Sequence, residues 1–100
     1  MIKVNIKKND NKISNITILG HSGYDEIGKD IVCASVSSIV TTTINSIVRI
    51  DNNIEYKYEE GNVEINYTNH SKTTDILIDN MIDLLEELEK QYKNYIKINK

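Results

Sequence analysis

Cys33 is the only cysteine of the chain, and His21, one of two histidines, lies twelve residues before it. A thiol and an imidazole are a nucleophile and its base. A neutral imidazole within hydrogen-bond reach takes the sulfur's proton, and later gives it to the leaving amine. Gly20 directly precedes His21, Gly23 and Gly28 punctuate the loop between His21 and Cys33, and Asp30 precedes an apolar-periodic run. Asp is a strong N-cap, because its side-chain oxygen accepts from the orphan N–H groups of a first helical turn. Cys33 then falls in that first turn, where the aligned backbone dipoles favour an anion and hence a thiolate.

The residues by themselves leave blander readings open. Cys33 can be a small buried member of a helix stripe, and His21 can be satisfied by a loop carbonyl. Asp30 is at least an N-cap; orienting His21, as the third group of a triad does, is the alternative. Ser37 lies four residues after Cys33 on the same face. It either hydrogen-bonds near the site or bonds back to a helix carbonyl. Ser22 reads as a small residue that permits close approach, and His70 as exposed and unrelated. The spacing of His21, Asp25, Glu26, Asp30 and Cys33 matches no structural zinc pattern. No metal and no cofactor is expected.

The elements that must position these groups follow from periodicity. Ile2, Val4 and Ile6 alternate with Lys3, Asn5 and Lys7, the mark of a half-buried strand. The polar stretch Lys8 to Lys12 predicts a hairpin turn, and Ile13 to Leu19 a second strand that leads into Gly20 and His21. Val32, Val36, Ile39, Val40, Thr43, Ile44, Ile47 and Val48 form one helical stripe, ending near Arg49 to Asn53. Ile54, Tyr56 and Tyr58, then Val63, Ile65 and Tyr67, alternate on either side of a Glu60-Gly61-Asn62 turn. A second helix starts after Asn69-His70-Ser71 with Ser71 as N-cap. Its expected stripe is Leu77, Met81, Leu84, Leu85, Leu88 and Tyr92, with Asp79, Asp83, Glu86, Glu87 and Lys90 towards water. Lys93-Asn94 closes it, and Tyr95 to Ile98 suits a short last strand. The order is ββαββα with that C-terminal strand as an option. It predicts an α+β, two-layer fold: one sheet with two helices on one face. The open face is expected to carry polar residues and some tyrosines.

Composition narrows the classes. One hundred residues make one domain with one modest core. A formal charge of −3 argues against a general basic field for nucleic acid. A single cysteine excludes an internal disulfide and any multi-cysteine metal site. A lone reactive thiol suits a reducing compartment. No run reads as approaching the roughly 20 apolar residues of a membrane span, and the alternating N-terminus does not resemble a signal peptide. The expectation is a soluble cytoplasmic protein with no membrane and no direct nucleic-acid partner.

The stretch Gly20-His21-Ser22-Gly23-Tyr24-Asp25-Glu26-Ile27-Gly28-Lys29-Asp30-Ile31-Val32-Cys33-Ala34-Ser35-Val36-Ser37 resembles the signature of the ribosomal-processing cysteine protease family Prp. That pattern is a Gly-His-Ala/Ser loop, then Gly-x-Asp-Ile-Val-Cys, then a helix beginning Ala-x-Val-Ser. The resemblance covers the whole chain. It implies Cys33 as nucleophile and His21 as base, with Asp30 and Ser37 at further motif positions; Ser22 stands where many members have Ala. The implied activity is that of a cysteine endopeptidase, one domain over residues 1–100. Its implied substrate is the N-terminal extension of a large-subunit ribosomal protein, cut after a pair of aromatic residues during ribosome assembly. The resemblance also points to a homodimer. The mechanism would be acyl transfer, with backbone N–H groups at the helix start as candidates to hold the oxyanion. The loop from Tyr24 to Lys29 is expected to have few internal constraints. The alternative from another class is a non-catalytic ribosome-assembly module using the open sheet face.

Overall fold

The computed structural model describes residues 1–26 and 28–100. β1 (Ile2–Asn9) and β2 (Lys12–Leu19) form an antiparallel hairpin. Its two-residue turn, Asp10 and Asn11, has φ of 53° and 64°. Asp and Asn enter that region more readily than other side chains, and a right-twisted hairpin demands it. Both strands therefore run further into the polar stretch than alternation alone indicates. α1 (Ile31–Ile50) follows, then the hairpin β3 (Glu55–Glu59) and β4 (Asn62–Asn66), α2 (Lys72–Gln91) and β5 (Ile96–Asn99). The order is the expected ββαββα, and the optional last strand is present.

The five strands form one sheet in the order β3-β4-β2-β1-β5. β5 runs parallel to β1, and the other pairs are antiparallel. A parallel partner needs a crossover, and α2 supplies it. On the covered face Ile2, Val4, Ile6, Ile16, Ile18, Val63, Ile65 and Ile96 are all buried. Val32, Val36, Val40, Ile44 and Ile47 of α1, and Ile78, Met81, Ile82 and Leu85 of α2, complete that core. The opposite face is polar: Asn15 Nδ2 donates to Asn66 Oδ1 at 2.7 Å across it.

Three expectations need correction. The tyrosines of β3 do not lie on the open face: Tyr56 pairs with Ile65 and Tyr58 with Val63. Directly paired residues share a face, so both rings point to the helix side, and the Tyr58 hydroxyl accepts from Thr41 Oγ1 at 3.2 Å. The stripe of α2 is rotated: Thr74, Ile78 and Ile82 are buried, while Leu84 is 45% exposed. Finally, α1 is long and apolar enough, by length and composition alone, to cross a membrane, with a mean hydropathy of 1.7. Its serines and threonines interrupt the apolar residues without making the helix polar. In this fold its apolar stripe lies in the core.

Candidate active site

Asp30 caps α1 as its residue type predicts. Its Oδ1 accepts from the backbone N–H of Val32 and of Cys33, each at 3.0 Å. Its Oδ2 accepts from the Ser22 hydroxyl and from the N–H of Tyr24 at 3.1 Å. Burial by itself would raise the Asp30 carboxyl. The bonds from Ser22 and from the N–H groups of Cys33, Asp25 and Tyr24 outweigh it and hold the group down at about 2. Both oxygens are committed to this loop and to the helix start, and neither bonds His21. The triad alternative for Asp30 therefore finds no support in the geometry.

Cys33 is the third residue of α1, in that capped first turn, half-buried and reduced. Its sulfur accepts from the N–H of Ser22 at 3.3 Å and donates to the Ser22 hydroxyl at 3.6 Å. No imidazole nitrogen is among its hydrogen-bond partners. His21 lies two residues past the end of β2. A Cβ built on Gly61 would stand 2.9 Å from His21 Nε2, so the ring rests on the bare backbone of the β3–β4 turn. Gly61 also has φ of +72°, a region costly for L side chains. Its carbonyl accepts from the N–H of Gly20 at 2.9 Å, which fixes the turn beside the root of His21. Gly20 has its own constraint: with φ of +92°, a Cβ there would meet the Met1 carbonyl oxygen at 2.7 Å.

Cys33 and His21 share two adjoining clefts. The first, about 220 Å³, is floored by Ile2, Ile18, Val36, Val40 and Val63 and rimmed by Tyr58, Glu59 and Glu60. The second, about 280 Å³, is lined by Gly23, Asp25, Gly28, Asp30 and Ala34. Ser37 and Glu60 border both. Ser37 is exposed on the cleft side of α1; the back-bond to a helix carbonyl is made instead by Ser35, to Ile31 at 2.7 Å.

Other expectations meet a different arrangement. Ser22 is no mere spacer: it is 3% exposed and its hydroxyl links Asp30 to the sulfur. The N–H groups of Val32 and Cys33 are taken by the Asp30 side chain, and that of Ala34 by the Asp30 carbonyl at 3.0 Å. These are not free oxyanion donors. The loop is also better tied than its glycines imply. The Tyr24 ring meets Tyr92 and Tyr95 edge to face, with centroids 5.6 and 5.2 Å apart. Lys29 N–H donates to Glu26 at 2.9 Å. Ile27, within the same stretch, lies outside the described residues. His70 is unrelated to Cys33, as expected, but half-buried: its Nδ1 is 3.3 Å from Asp75 Oδ1. Gly61 and Glu60 join the site although their stretch reads only as a turn. No local signal marks them, since strand pairing alone brings them to His21.

The family profile described as Cysteine protease Prp matches residues 1–97. The ribosomal processing cysteine protease Prp of Staphylococcus aureus is 28% identical over 99% of this chain and 98% of its own length. The protein of that name from Bacillus subtilis is 28% identical over 98% and 96% respectively. The Staphylococcus aureus protease with a covalently linked product peptide superposes with a TM-score of 0.93, at 27% identity over 99% of this chain and 98% of that one. With a substrate peptide the TM-score is 0.87, at 25% identity and the same coverage. A loop histidine, a capped thiol and a shared cleft thus occur in a chain that belongs to the Prp family of cysteine proteases.

Proposed function

We propose that this protease cleaves the N-terminal extension from a large-subunit ribosomal protein in the cytoplasm, using Cys33 as nucleophile and His21 as base. The observation that carries the reading is the cleft shared by His21 and Cys33. A cysteine protease whose chain holds one cysteine has one thiol to use. Similarity to proteins named for ribosomal processing, one of them seen with substrate and product peptides, supports the substrate class.

The chemistry runs as acyl transfer. The His21 imidazole swings from its seat on Gly61 and takes the thiol proton. The sulfur attacks the scissile carbonyl carbon, and the N-terminus of α1 favours the negative charge passing through that region. His21 then gives its proton to the leaving amine as the C–N bond breaks. Water, deprotonated by His21, hydrolyses the thioester and restores the thiol. The apolar floor at Ile2, Ile18, Val36, Val40 and Val63 suits an aromatic side chain next to the cut, and Glu59 and Glu60 suit a basic neighbour. The resemblance to Prp further implies a homodimer, which light scattering of the purified protein reads directly.

The test is incubation with a recombinant ribosomal protein carrying its extension, with products read by mass. The expected result is one cut, absent with Cys33→Ala and nearly absent with Cys33→Ser. Full turnover by Cys33→Ala overturns the nucleophile. Intact substrate with a folded wild-type protein overturns the substrate, and favours a non-catalytic assembly role.

A further inference from the structure

Ser22 lies between a buried carboxylate and the sulfur, and its hydroxyl has every hydrogen-bonding position filled. A hydroxyl offers one proton and two lone pairs. The proton goes to Asp30 Oδ2. The lone pairs receive the N–H of Tyr24 at 3.2 Å, which is shared with Asp30 Oδ2, and the S–H of Cys33 at 3.6 Å. We infer that Ser22 is a positioning residue that holds the Cys33 proton in the resting enzyme: its hydroxyl, locked by Asp30, accepts the thiol S–H. This rests on Cys33 being the nucleophile.

The lock follows from what Asp30 is able to do. Its oxygens accept from four backbone N–H groups, at 3.0 to 3.4 Å, besides Ser22. An ionised carboxylate is an acceptor only, so Ser22 must donate to it. Turning the Ser22 proton towards sulfur would break a charge-assisted bond, about twice as strong as a neutral one. The sulfur therefore meets Ser22 Oγ only as a donor. A thiolate there would face a lone pair.

Ser22 holds the sulfur by a second atom with the opposite preference. Its backbone N–H, 3.3 Å from Sγ, favours the anion. The N-terminus of α1 and a protonated His21 act in the same sense, while the carboxylates of Asp25, Asp30, Glu59 and Glu60 around the two clefts oppose it. The hydroxyl adds to the side of the neutral thiol. With His21 seated on Gly61 rather than on the sulfur, Ser22 Oγ is the acceptor that the thiol S–H meets in the resting enzyme.

The experiment is alkylation of Cys33 by iodoacetamide across pH, without substrate, in the wild type and in Ser22→Ala. Loss of one modest hydrogen bond to the thiol should move the rate-against-pH midpoint down and speed the reaction near pH 7 by about five-fold. The plateau at high pH should stay unchanged. Mere loosening of the loop would raise the plateau and leave the midpoint, and that result overturns the proposal. A midpoint that rises also overturns it, because Ser22 would then be stabilising the thiolate. A second readout needs no variant. Cys33 is the only thiol, so the S–H stretching band of the wild type belongs to it alone. A band displaced to low frequency relative to the unfolded protein supports the bond to Ser22, and an undisplaced band overturns it. Neither measurement involves cleavage, so failure here is distinct from failure of Cys33→Ala to lose activity.

Discussion

The two helices begin in the same way and to different ends. Each has twenty residues, a side-chain N-cap and a histidine close by. At the start of α2, Ser71 Oγ accepts from Thr74 N–H at 3.1 Å and donates to Asp51, the C-cap of α1. The hydroxyl of the buried Thr74 reaches Asp51 Oδ2 at 2.9 Å and Asn53 Oδ1 at 2.8 Å. Tyr67 donates to Asp75 at 2.6 Å and accepts from Ser71 N–H at 3.1 Å, and its ring packs on His70 with centroids 4.0 Å apart. That network closes on itself and ties the end of α1 to the start of α2. At the start of α1, roughly 30 Å away along the helix, the chain of bonds runs from Asp30 through Ser22 and ends on a sulfur beside an open cleft. A cap network that ends on protein holds elements together. One that ends on a thiol beside a cleft is placed to condition that thiol's chemistry.

The largest effect that separates the two ends is on turnover. His21→Ala should lower kcat/KM for a spanning peptide by about 10²- to 10⁴-fold, the usual worth of a positioned general base. His70→Ala should leave kcat/KM unchanged. Equal losses in both variants, measured on folded protein, would erase the functional distinction between the two histidines.

The next pair concerns the caps. Asp30→Ala and Ser71→Ala should each cost about 1–2 kcal/mol in urea unfolding, since each removes an N-cap oxygen. Only Asp30→Ala should change the alkylation rate of Cys33. Ser71→Ala altering that rate would mean that the two ends communicate through the helix pair.

Much of this was legible beforehand, and the omissions have physical causes. Alternation placed β1, β2 and β4, and the cap residues Asp30 and Ser71 placed both helix starts, because these signals are local. The rotation of α2 was not fixed. Ile76, Leu77, Ile78, Leu84 and Leu85 put apolar side chains on more than one face, so two stripes fit the period until packing buries Ile78 and leaves Ile76 59% exposed. The side taken by Tyr56 and Tyr58 depends on their register with Ile65 and Val63, which no residue of β3 encodes. At the site, Cys33, His21 and Asp30 carry recognisable chemistry. Ser22 does not: a serine in a glycine loop looks like a spacer until its neighbours in space are known. Gly61 looks like any hairpin glycine until His21 is seen resting on it.

Acid sharpens the comparison further. Asp30 is lowered from 3.8 to about 2. A depressed carboxyl contributes stability above its unfolded value and loses it as pH falls through the folded one. Thermal melts should therefore show the wild type losing its advantage over Asp30→Ala between pH of about 4 and about 2. A constant difference across that window would mean that the carboxylate's charge is irrelevant to the cap.

The smallest effect is at the alkaline end, and it tests whether the α2 network is closed. Burial first, then the bond to Asp75, push the Tyr67 hydroxyl up from 10.0 to about 12, against a smaller opposing bond from the Ser71 N–H. The folded protein thus holds a proton on Tyr67 that the unfolded chain releases near pH 10. The sign follows: this contribution is present below about pH 10 and is lost as pH rises through about 12. Tyr67→Phe removes the titrating group while keeping the ring in the core. It should cost about 1 kcal/mol at neutral pH, the worth of an ordinary buried hydrogen bond, since the partly exposed Asp75 regains water. Between pH 10 and 12 the gap between wild type and variant should shrink, because only the wild type has a proton to lose. Melts of both proteins across that range read it. A gap that stays constant would mean that Tyr67 titrates alike in both states. The network around Ser71 would then be open to solvent, and the contrast with the site at Cys33 would rest on the sulfur alone.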